Sequence, residues 1–161
     1  MKHSLIKTAL ISFSLALILF GCNPNKIYDD YVDLENSVWN VDTLATYDFE
    51  IPNLSDAYDI SYNVRYADMY PYYNIYIKYY LEDSSKNIIK SELQEILLFD
   101  KKTGIPLGDG IGDIIDREVL IFKDFDFPYA GKYRFRVKQF MRVENLPGIM
   151  SFGLRIDKQA E

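Results

Sequence analysis

Along three stretches of this chain, apolar and polar residues trade places at every second position. Ile60, Tyr62, Val64 and Tyr66 alternate with Asp59, Ser61, Asn63 and Arg65. Ile75, Ile77, Tyr79 and Leu81 alternate with Tyr76, Lys78 and Tyr80, and Tyr133, Phe135 and Val137 with Arg134, Arg136 and Lys138. Successive side chains of a strand point to opposite faces of its sheet, so this period marks strands with one buried face. Further strands are expected near 43–51, 88–99, 119–122 and 150–156. Turn signals separate the runs at Pro52-Asn53, Tyr70-Pro71, Asp83-Ser84-Ser85, Lys102-Thr103-Gly104, 128–131 and Pro147-Gly148. Helical spacing is weak; its best case is Ser91–Phe99, where Leu93, Ile96 and Leu97 would share a helix face. The expected fold is all-β, an antiparallel β-sandwich or jelly roll of seven or eight strands.

The N-terminus follows a different rule. Lys2 and Lys7 precede an apolar run from Thr8 to Phe20, which closes on Leu19-Phe20-Gly21-Cys22. The run is too short for a bilayer span of about 20 residues and has the length of a signal-peptide core. Its Leu-x-Gly-Cys ending is the pattern of a bacterial lipoprotein, with cleavage after Gly21, the Cys22 thiol taking up a diacylglyceryl group, and Cys22 carrying the covalent acyl lipid. The expected organisation is a signal peptide over 1–21, a lipidated polar tether over 22–36, and one β-sandwich domain over 37–161. No internal repeat or second domain is visible. Acyl chains on Cys22 would be the contact with the lipid bilayer.

Cleavage removes two lysines and the one histidine, leaving 16 cations against 24 acids, a net charge of −8. Such acidity argues against nucleic acid, whose phosphates need clustered Lys and Arg. A mature chain without histidine, and with its one cysteine acylated, has no Ser-His-Asp or Cys-His nucleophile and no His/Cys zinc site. A carboxylate pair of the glycosidase kind remains possible in principle, but no two acids stand out for it. No enzyme activity and no cofactor beyond the lipid on Cys22 are expected.

Three features invite a site. Nine of the 14 tyrosines fall between Tyr58 and Tyr80. By phase Tyr62, Tyr66 and Tyr79 belong to the core, whereas Tyr76 and Tyr80 point outward with Lys78. With Arg134 and Arg136 they form the candidate contact for a protein partner or a glycan, since tyrosine and arginine are enriched at interface hot spots. Gly108-Asp109-Gly110-Ile111-Gly112-Asp113 lacks both the phosphate-loop ending and the dinucleotide spacing. Asp109, Asp113 and Asp116 are weak calcium candidates without EF-hand spacing. Alternate glycines more simply let a strand lie against another backbone. Gln139 either faces inward beside Val137 or is turned out by a bulge, and Trp39 is expected in the core.

Several short motifs, in order, are similar to those of the gliding-motility lipoprotein GldH family of Bacteroidota. They are Asn63-Val64-Arg65, then Tyr70-Pro71-Tyr72-x-Asn74, then Gly108-x-Gly110-x-Gly112-Asp113-Ile114. Phe127-Pro128, Gly131-x-Tyr133, Gln139-x-Met141-Arg142 and Gly153-x-Arg155-Ile156 follow. The resemblance implies a membrane-anchored cell-envelope protein with a part in gliding motility, a process tied to type IX secretion. Its expected role is accessory or scaffolding, with motility or secretion proteins as partners. The alternative is a surface glycan-binding lipoprotein that uses the outward tyrosines as a stacking platform. Asn23-Pro24-Asn25-Lys26 lacks the acidic cluster that resembles a surface-export signal, so the expected location is the outer membrane, facing the periplasm.

Overall fold

The computed structural model describes residues 25–159, and Gly21 and Cys22 lie outside them. The fold is all-β and every strand pair is antiparallel. Eight long strands carry it: β1 (Lys26–Asp33), β3 (Ala45–Ile51), β4 (Tyr58–Ala67), β5 (Asn74–Glu82), β6 (Ile88–Leu97), β8 (Ile114–Phe125), β9 (Gly131–Gln139) and β11 (Ile149–Lys158). Three short ones, β2 (Val38–Asn40), β7 (Asp109–Ile111) and β10 (Asn145–Pro147), complete the set. One sheet runs β1-β11-β4-β8-β7, its partner runs β3-β9-β5-β6, and β10 pairs with β2. The chain changes sheet at every long connection except the β5–β6 hairpin. That strand order is a jelly roll, one of the two architectures expected.

The inward phase of each alternating run forms the core. Tyr62, Tyr66, Tyr79, Phe135 and Phe152 are fully buried, and so is Trp39. Phe152 lies 5.0 Å from both Trp39 and Tyr62, ring centre to ring centre, and Tyr79 stacks on Phe135 at 5.2 Å. Buried phenols need acceptors, and backbone carbonyls supply most of them. Tyr47 donates to the Phe152 carbonyl at 2.5 Å, Tyr66 to that of Leu98 at 2.6 Å and Tyr70 to that of Asn74 at 3.0 Å. The tyrosine-rich composition therefore ties loops and neighbouring strands to the core.

The segment expected as a tether is a strand from Lys26 onward, paired with β11 from Lys26↔Asp157 to Asp33↔Ser151. Its inward positions are Tyr28, Asp30 and Val32, opposite Ile156, Leu154 and Phe152. Asp30 interrupts the apolar phase, so the strand's place is set by β11 and not by its own pattern. Residues 88–97 are also a strand, at the open edge of the four-stranded sheet. Register with β5 turns Lys90, Glu92 and Gln94 toward the inner face. Charge pointing inward on an edge discourages another strand from adding there. Lys90 settles 5.0 Å from the Phe122 ring centre, and Tyr62 donates to Gln94 Oε1 at 3.1 Å.

Gln139 faces inward with no bulge before it and is completely buried. Its amide nitrogen donates to the Val143 carbonyl at 2.9 Å, and its oxygen accepts from the Met141 N–H at 2.7 Å. The side chain thus closes the loop between β9 and β10. Gln139→Leu keeps the volume but leaves the part-buried Met141 N–H and Val143 C=O without this partner. It is expected to lower stability by about 1–3 kcal/mol in urea unfolding. An unchanged midpoint would mean that water replaces the amide.

Candidate interaction site

The four outward residues share one face of the β3-β9-β5-β6 sheet. Tyr80 stands directly opposite Arg136, and Arg134 lies between Glu82 on β5 and Asp48 on β3. Tyr76 is four residues from Tyr80 on the same strand and is 38% exposed. Both arginines are already occupied. Arg134 forms a two-point ion pair with Asp48 at 2.7 and 2.9 Å, which holds the Asp48 carboxyl below the usual carboxylate range. Arg136 pairs with Glu82, whose side chain is buried, and lies 5.4 Å from the Tyr80 ring centre. Lys78 lies 5.6 Å from the same ring. Tyr80 is therefore a cation-flanked ring, and Tyr76 is the freer of the two.

A groove of about 510 Å³ opens at one end of this face. Asp48, Glu50, Asp83, Lys86, Lys132 and Arg134 line it with equal numbers of acids and bases. Asp83 is spent on its own turn, accepting from the N–H groups of Ser85 and Asn87 at 2.8 and 2.7 Å. Hydrogen bonds from Asn87 lower its pKa. Bonds from Thr103 do the same for Asp100, and one from Lys158 does so for Asp56. Each of these shifts favours the charged carboxylate, the opposite of what a general acid needs.

The calcium candidates fall on the β7–β8 hairpin. Asp109 is opposite Asp116, and Arg65 takes the Asp116 carboxylate with bonds of 2.8 and 3.1 Å. Asp113 sits in the turn. Among the described residues no group of three or more Asp, Glu, His or Cys is placed to hold a metal ion. The glycines of this run have a structural use. A Cβ on Gly108 would lie 2.4 Å from the Asp116 carbonyl oxygen, and one on Gly110 2.2 Å from that of Ile114. Only glycine lets these backbones meet.

A second surface has no single signal in the sequence. On the outer face of the five-stranded sheet Asn63 pairs with Gly153, Ser61 with Arg155 and Arg65 with Ser151. Tyr31 of β1 lies across Gly153, where a Cβ would stand 2.7 Å from the ring. Burial, then the nearby Asp29 carboxylate, pushes the Tyr31 phenol up. Arg155 holds Asp157 at 2.5 and 3.1 Å. Asn63-x-Arg65 and Gly153-x-Arg155 are distant in sequence and adjacent here. The period-two spacing put each pair on one face, but nothing in the sequence paired β4 with β11.

The described residues form a jelly roll with two ion-paired sheet faces, and none of their helices is long and apolar enough to cross a membrane. Residues 26–156 match the GldH lipoprotein family, and the chain belongs to it. It is 28% identical over 161 residues to the gliding motility lipoprotein GldH of Flavobacterium johnsoniae, covering 96% of this chain and 98% of that one. It is 27% identical over 154 residues to a gliding motility lipoprotein GldH homolog of Christiangramia forsetii, covering 91% and 93%. Among solved structures, dimeric latent PorU from Porphyromonas gingivalis superposes over 86% of this chain and 13% of its own, with a TM-score of 0.35 and 9% identity. Family membership makes the chain a membrane-anchored envelope lipoprotein.

Proposed function

We propose that this protein is a non-enzymatic accessory or scaffold of a gliding-motility and type IX secretion-related assembly. Lipid on Cys22 holds it on the periplasmic side of the outer membrane. The observation that carries this reading is the match to gliding motility lipoproteins across nearly the whole of both chains. The surface chemistry agrees with it. Carboxylates pulled toward the charged state and arginines already in ion pairs suit a stable contact face better than acid–base catalysis. A glycan platform needs bare ring faces, and cations flank Tyr80.

Tyr76, Tyr80, Arg134 and Arg136 are the proposed contact on the four-stranded sheet. Cys22→Ala is expected to move the protein from the membrane to the soluble fraction and to abolish gliding. Tyr76→Ala with Tyr80→Ala should leave it membrane-bound but weaken co-purification of motility or secretion components at least tenfold. Unchanged co-purification removes this face from the proposal. Digestion by protease added to intact cells would move the protein to the cell surface.

A further inference from the structure

Antiparallel pairing sorts the loops between two ends. Lys26 lies opposite Asp157, Tyr58 opposite Phe125 and Ile51 opposite Gly131, so the chain enters beside the β3–β4, β5–β6 and β8–β9 connections. Four Cα steps separate Cys22 from Lys26 and span at most about 14 Å. If Cys22 is acylated, as proposed above, that end faces the bilayer. Strands of eight to ten residues then carry the other end about 30 Å further out.

The outer end is unusually apolar. Ile111, at the tip of the β7–β8 hairpin, is 93% exposed, Met69 is 86% exposed and Ile105 62%. Tyr72, Tyr73 and Ile114 are exposed beside them. Backbone bonds hold these loops together. The Asp68 N–H donates to the Asp113 carbonyl at 2.9 Å, and those of Leu98 and Phe99 donate to the Tyr73 carbonyl at 2.8 and 2.9 Å. Gly112, at φ +65°, supplies the left-handed turn beyond Ile111. Fixed apolar tips of this kind mark interaction sites.

Around Met69 and Ile111 the charge is acidic, whereas the Tyr73 side carries Lys101, 4.8 Å from that ring and paired with Glu95. Asp68, Asp109 and Asp113 are exposed and form no ion pair among the described residues, whereas Asp116 is taken by Arg65. An anionic lipid surface would be repelled. We infer that the outer end is a second docking surface, and that its occupant is a protein with an apolar groove bordered by lysine and arginine. Met69 and Ile111 enter the groove, and the three aspartates meet its rim. With the sheet face described above, the domain then has two contacts, as a scaffold requires.

The test is photo-crosslinking in the native host, in the full-length chain, with benzoylphenylalanine in place of Met69 or Ile111 and, as the bilayer-side control, of Leu54. The expected result is one protein adduct, shared by positions 69 and 111 and absent at 54, mapping to a Lys/Arg-bordered apolar segment. Asp68→Lys with Asp109→Lys and Asp113→Lys should reduce it at least tenfold without changing the melting temperature. Should that triple variant unfold, Asp109→Lys alone should still reduce it severalfold. An adduct with lipid, an adduct with a second copy of this chain, an adduct insensitive to charge reversal, or no adduct overturns the proposal. The two readings fail separately. A qualifying adduct with a protein outside the motility machinery keeps the docking surface and removes the motility role. A gliding defect on deletion with no adduct does the reverse.

Discussion

Phe152→Ala is expected to cost about 3–5 kcal/mol, the range for emptying a fully buried aromatic site. Phe152 sits on β11 between Trp39 and Tyr62, each at 5.0 Å, and its carbonyl receives the Tyr47 hydroxyl. Truncation leaves two large rings with no partner on one side, and neither can swing into the gap. Trp39 is tied by its indole N–H to the Thr43 carbonyl at 3.0 Å, and Tyr62 by its hydroxyl to Gln94. A domain of this size has only about 5–15 kcal/mol in total, so the urea midpoint should fall by about 2 M. Phe152→Leu should lose less than half as much. A loss below about 1 kcal/mol for the alanine variant would mean that the two sheets do not meet at this ring.

The second large effect is alkaline instability. Burial raises the phenols of Tyr47, Tyr62, Tyr66, Tyr70 and Tyr79 above their ordinary value of 10.0. Tyr28 is pushed up to about 12 by burial and by the neighbouring Asp30. A phenol whose folded pKa exceeds its unfolded value stays protonated in the native state. Its contribution is complete below pH 10.0 and is lost as pH rises toward the folded value, because unfolding releases the proton. Every tenfold difference in proton affinity between the folded and unfolded chain is worth about 1.4 kcal/mol, and several tyrosines act together. Cooperative unfolding is therefore expected at about pH 11–12. Phenolate absorbance should rise in the same narrow interval as the loss of circular dichroism. Reversible ionisation of all the tyrosines below that interval, with the fold intact, would show that these hydroxyls are not buried.

The alternating runs were legible because each strand alone carries an apolar face. β4, β5 and β9 have apolar residues at every inward position up to Gln139, so their side-chain phases follow from spacing alone. The glycine run was legible for a similar reason, since alternate glycines predict close backbone approach on one face. β1 was not legible. Asp30 stands at its inward centre, and only pairing with β11 makes residues 26–33 a strand. Ser91–Phe99 carried a helical spacing that the edge of the sheet overrode, leaving Lys90, Glu92 and Gln94 turned inward.

The candidate site divides in the same way. Spacing placed Tyr76 and Tyr80 on one face, and Arg134 and Arg136 on another strand's equivalent face. That Arg136 lies opposite Tyr80, and that Asp48 and Glu82 already hold the two arginines, follows from strand register across distant segments. The Tyr31–Gly153 contact and the apolar outer end have the same origin.

By itself the sequence determined the class of fold, the phase of its main strands and the family, because these rest on local periodicity and short motifs. Tertiary structure alone decided the jelly-roll strand order, the capture of β1 by β11, and which charges remain without partners. Those depend on pairings between residues far apart in the chain, which no local pattern encodes.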